Sequence, residues 1–93
     1  MVKRLRSMPY AQAVVRDCGD IDKDLIVLQS YSTDVIIIRD GWLHCTGLYS
    51  MTTRKHISAF MGEYGKGFTF HDAKRCYEGN RELNITTGEI RDC

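Results

Sequence analysis

One stretch of the chain constrains the fold more than any other. Thr33 to Ile38 is dominated by β-branched residues, Asp40-Gly41 follows, and Trp42 to Leu48 reads as a return strand. β-branched side chains suit a pleated surface. Asp-Gly between two such runs is a strong hairpin signal, because a tight two-residue turn favours that pair. Gly47 within the return strand marks a bulge or its end.

A helix is expected directly afterwards. The Ser50 hydroxyl can accept a hydrogen bond from an amide two or three residues on, which makes it a good N-cap. Ile57, Phe60, Met61 and Tyr64 then fall at i, i+3, i+4 and i+7, with Thr53 one turn earlier on the same side. Lys55, Ser58, Ala59, Gly62 and Glu63 make the opposite face, and Gly65 is a natural stop.

The remaining elements are read more coarsely. Leu25 to Leu28 is strand-like and is followed by the polar stretch Gln29-Ser30-Tyr31-Ser32. Thr69-Phe70-His71-Asp72 resembles a capping box and opens a second helix to Glu78, with Phe70, Ala73 and Tyr77 on one face. Glu82 to Thr86 reads as a strand, Thr87-Gly88 as a turn, and Glu89 to Arg91 as a short final strand. Residues 1–8 are expected to be a flexible arm. Pro9 to Cys18 has two readings: a short helix between Pro9 and Gly19, which is preferred, or a strand around Val14-Val15. Gly19 to Asp24 is expected to be a turn. The expected fold is therefore a single α+β domain over residues 1–93: a small antiparallel sheet of three to five strands with two helices packed on one face.

Composition narrows the function. The chain has 93 residues, 43% of them hydrophobic and 27% charged, with one proline, which excludes a disordered or collagen-like chain. The apolar run Val35 to Ile38 is far too short to span a membrane. Net charge is +1, so no bulk attraction to nucleic acid or membrane is implied, but residues 1–16, 17–40, 41–81 and 82–93 carry +4, −4, +3 and −2. Neighbouring segments are expected to neutralise one another. No apolar segment follows the basic start, so no signal peptide is expected, and Cys18, Cys45, Cys76 and Cys93 are expected to be reduced thiols in a cytoplasm.

Catalytic and metal patterns are thin. His44, Cys45, His56, His71 and Cys76 have no familiar zinc spacing, and His44 and Cys45 would point to opposite faces of a strand. Cys45, His56 and Asp72 form no local nucleophile motif, and Gly62 to Gly67 lacks the ending of a phosphate loop. The expectation is a protein that is not an enzyme, with no metal and no cofactor.

Two binding classes remain. For nucleic acid, Lys3, Arg4 and Arg6 make a basic arm, while Arg54 and Lys55 lie at a helix start whose amides attract phosphate. Lys74, Arg75 and Arg81 could add a second cluster, and Tyr10, Trp42 or Tyr49 could stack bases. For a protein partner, Ser58 and Gly62 flank Ala59 and permit close approach of another backbone. With Arg54, Lys55, Lys74 and Arg75 they form the candidate partner surface. An unpaired sheet edge is a further docking site and makes a homodimer plausible.

The stretch Gly47-Leu48-Tyr49-Ser50-Met51-Thr52-Thr53-Arg54-Lys55-His56-Ile57-Ser58-Ala59-Phe60 resembles a family of small, functionally uncharacterised proteins of phages and prophages. In that pattern a strand ends in Tyr-Ser, and Thr-Thr, His and an apolar-x-x-aromatic helix follow. The resemblance implies no catalytic residues. It implies a mobile-element accessory protein in the cytoplasm of a bacterial host cell, with a host defence or phage protein as partner. Inhibition of a defence nuclease, as by anti-CRISPR proteins, is its concrete version. The residues themselves make Ser50 the cap, Ile57 and Phe60 the anchors, and His56 a hydrogen-bonding histidine at the core edge.

Overall fold

The computed structural model describes residues 2–9, 11–17 and 25–92. The expected turn over 19–24, Tyr10, Cys18 and Cys93 lie outside the described residues. The fold is α+β, with an antiparallel sheet of seven strands, more than the three to five expected. The elements are β1 (Val2–Arg4), β2 (Ala13–Asp17), β3 (Ile26–Ser30), β4 (Thr33–Arg39), β5 (Trp42–Cys45), α1 (Met51–Tyr64), α2 (Phe70–Glu78), β6 (Arg81–Asn84) and β7 (Ile90–Asp92). Strand order in space follows order in sequence, β1 to β7. Both helices are inserted between β5 and β6, which still pair, Trp42 with Asn84 and Leu43 with Leu83.

The extra strands come from the N-terminal segment. Val2–Arg4 is not a free arm but pairs with Val14–Arg16 as an edge strand. Leu5 behind it is 0% exposed, and Glu63 of α1 accepts from the Arg6 and Ser7 amides at 3.0 and 3.3 Å. Burial of one leucine and two charge-assisted bonds hold the segment down. Ala13–Asp17 is a strand, not the preferred helix. Pairing with β1 and β3 satisfies its backbone on both sides, and Ala13 and Val15 face the core. Pro9 sits in the β1–β2 connection, where the Met8 amide bonds Leu5 O and the Ala11 amide bonds Met8 O.

The clearest expectations hold. Asp40 and Gly41 take φ of 53° and 86° between β4 and β5, the positive values that their turn needs. The return strand ends at Cys45, short of Gly47. Ser50 Oγ accepts from the Thr53 amide, and Thr53, His56, Ile57, Phe60 and Met61 are the buried residues of α1. Thr69 and Asp72 form the capping box of α2, where Ala73 and Cys76 are buried and Tyr77 is exposed instead.

Both helices cover one face of the sheet. Leu28, Ile36, Leu43 and Leu83 meet Ile57, Phe60 and Met61 of α1 and Ala73 and Cys76 of α2 in one core. A register shift between Leu28 and Gln29 leaves Val35 of β4 without an opposite residue. A bulge of this kind lets Val35 and Ile36, neighbours in sequence, both enter the core.

Candidate binding face

The other face of the sheet carries no helix. Register places Val2, Arg16, Val27, Ile37 and His44 in one row across β1 to β5, and Glu82 pairs with Arg91 across β6 and β7. His44 Nδ1 lies 3.9 Å from Glu82 Oε2, which joins the two halves. Alternation puts all of these side chains on the face opposite the core. Val27 is only 5% exposed there, between Arg16 and Ile37. Arg16 Nη2 bonds Asp34 Oδ2 at 2.6 Å, while its Nε is buried without a hydrogen-bond partner.

At the β4–β7 end this face forms a groove of about 490 Å³ lined by Ile37, Arg39, Trp42, His44, Glu82 and Arg91. Trp42 is its half-buried floor. The Arg91 guanidinium lies 3.9 Å from the Trp42 ring centroid, and its Nε donates to Glu82 Oε1 at 2.9 Å. A guanidinium set between an aromatic face and a carboxylate satisfies both its flat surface and its N–H fork.

A second polar group is sealed under α1. Ser30 Oγ is hydrogen-bonded to His56 Nδ1 at 2.8 Å and to Thr53 Oγ1 at 3.2 Å. All three residues are buried, and Ser50 Oγ donates to Thr53 Oγ1. Burial pushes the His56 pKa below its ordinary value, so the neutral ring is favoured. The group resembles a nucleophile–base pair only in composition, because a substrate cannot reach it. It is a satisfied polar network that closes the helix onto β3.

The residues singled out by type are dispersed. Cys45 is buried, its pKa pushed up to about 11, first by desolvation, and it donates to Gly47 O. Asp72 is held in the α2 cap, so it does not join Cys45 and His56. His44 faces the groove while Cys45 lies in the core, as strand alternation requires, and His71 is exposed on α2. Among the described residues no group of three metal-ligating side chains assembles.

Of the proposed nucleic-acid set, Lys3 lies 3.8 Å from Asp17, and Arg4 donates to Ala11 O at 3.4 Å. Arg6 is beside Glu63, eight residues along α1 from Lys55, a rise of roughly 12 Å. Arg54 and Lys55 therefore do not join the basic arm. Arg81 pairs with Asp92 across β6 and β7. Ser58 and Gly62 are exposed on α1, with nothing within 4 Å of a Cβ placed on Gly62. Lys74 is half-buried and Arg75 exposed on α2. Lys3–Asp17 and Arg16–Asp34 each join a base of the first charge segment to an acid of the second.

The groove is what residue types alone did not reveal. Trp42 was a candidate base stacker and His44 a candidate ligand. Their association with Glu82 and Arg91 depends on β5–β6 pairing across two intervening helices. Among the described residues no helix is long and apolar enough to cross a membrane. No curated protein and no solved structure matches the chain. A family model does match, over residues 3–78, and the chain belongs to that family, DUF8033, a family of unknown function.

Proposed function

We propose that this chain is a non-catalytic binding module that receives a protein partner on the helix-free face of its sheet. The observation that carries the reading is the groove floored by Trp42, where an aromatic ring, a carboxylate and arginines converge outside the core. Trp and Arg are the side chains most often found to anchor protein interfaces. The narrower version, a mobile-element accessory protein that blocks a host defence protein in the bacterial cytoplasm, rests on the resemblance of residues 47–60 to phage and prophage proteins.

The test is positional. A photo-activated cross-linking residue at position 37, which lines the groove beside Trp42, should trap a partner in cells, while the same residue at position 58 should not. Cross-links from position 58 alone would overturn the reading.

A second reading, nucleic-acid binding, draws on Arg4, Arg16 and Arg39, which share this face by register. It requires an affinity that falls steeply with salt and drops further on Arg4→Ala, Arg16→Ala and Arg39→Ala changes. Absent or salt-insensitive binding removes it.

A further inference from the structure

We propose that the outer edge of β6 is a binding site for an extended, arginine-centred peptide segment, and that the chain's own β7 is the occupant it holds at rest. This inference rests on the reading above and names the partner chemistry for the same face.

β7 is three residues long, wholly exposed and at the edge of the sheet. Yet its side chains contact other elements on both faces of the sheet. Ile90 lines a pocket of about 320 Å³ with Arg75, Cys76 and Gly79. Arg91 turns the opposite way into the groove, against Trp42 and Glu82. Asp92 Oδ1 lies 3.5 Å from Arg81 Nε. An added strand whose alternate side chains enter pockets on opposite faces is how sheet edges recognise peptides.

Charge selects the class of ligand. Apart from Arg91, the groove carries Glu82 and Asp40 against Arg39 alone, so it favours a cation. The Trp42 face and the Glu82 carboxylate suit a planar guanidinium better than an ammonium. A phosphate would meet the Glu82 charge. The preferred segment reads apolar, Arg, acidic, as in Ile90-Arg91-Asp92.

The resting occupant is lightly held. Its ion pairs are exposed, and exposed pairs contribute little. β4, by comparison, is seven residues long and has a paired strand on each side. A competing segment therefore has to replace few interactions, all of which it can remake.

Trp42 is the chain's one tryptophan, so its fluorescence reports the groove directly. The experiment uses the full chain carrying Arg91→Ser, with two probes. One is the blocked hexapeptide Thr-Gly-Glu-Ile-Arg-Asp. The other is N-acetylarginine amide, which fills the guanidinium site even where β7 stays paired. Circular dichroism and unfolding of the Arg91→Ser chain, both matching the unsubstituted chain, confirm the fold.

The expected result is a saturable change in Trp42 emission. Binding to the Arg91→Ser chain should be roughly tenfold or more tighter than to the unsubstituted chain, where tethered Arg91 competes. Replacing Arg by Gln in the peptide, or adding Glu82→Gln to the chain, should abolish it. Equal binding of the Arg and Gln peptides, or no response to either probe, would overturn the inference. If position 37 still cross-links a partner, failure here removes only the arginine specificity. If it does not, the binding face itself is wrong.

Discussion

The two faces of the sheet are built from the same strands and do opposite things. On the covered face, Leu28, Ile36 and Leu43 are fully buried against Ile57 and Phe60. Its polar members, Ser30, Thr53 and His56, satisfy one another internally. On the open face, Arg16 pairs with Asp34 and Arg91 with Glu82, and Trp42 lies under a side chain from the edge strand. The covered face holds the fold through apolar burial, while the open face contributes little to it. Residues on the open face are thus free to serve recognition at small cost to stability.

The difference can be broken at several points. The largest effect belongs to Phe60→Ala, which opens a cavity where both helices meet the sheet. It should cost about 3–5 kcal/mol by denaturant unfolding. Ser30→Ala should come next, at about 1–3 kcal/mol, because it leaves the buried His56 Nδ1 without its partner.

pH probes the same network. The folded-state pKa of His56 is lowered, so the unfolded chain binds the proton more readily. No penalty is present above the unfolded value of about 6.5, and stability falls as pH drops from there toward the lowered folded pKa. His56→Gln should flatten that part of the unfolding profile, and an unchanged slope would remove His56 as its source. Cys45, held at a pKa of about 11 and buried, should resist alkylation at pH 8 until the chain unfolds. Mass spectrometry of the trapped peptides reads this directly. The smallest stability effect is on the open face, where Arg39→Glu should change unfolding by no more than ~0.5 kcal/mol.

Legibility follows the same division. Local signals were enough for the Asp40-Gly41 turn, the Ser50 cap, the Thr69–Asp72 box and the buried stripe of α1. Each depends on residues within a turn or two of one another. The β3–β4 turn escaped because Tyr31 holds φ 56° where Gly, Asn or Asp usually gives the signal. β1 and β2 escaped because Val2–Arg4 is exposed and Ala13–Asp17 is short, so partner strands decide their conformation. The groove was least legible of all. Glu82 reaches His44 across 38 residues and two helices, through a register that no local pattern encodes.

The most direct measurement of the two-face account pairs one open-face variant with one helix-face variant. Glu82→Gln removes only partly exposed ion pairs and Ser58→Arg is an exposed substitution, so both should leave the unfolding free energy near that of the unsubstituted chain. Capture of the cross-linked partner should fall roughly tenfold or more for Glu82→Gln and stay unchanged for Ser58→Arg. Unaltered capture by Glu82→Gln, with loss in Ser58→Arg, would contradict the account and move recognition to the helices.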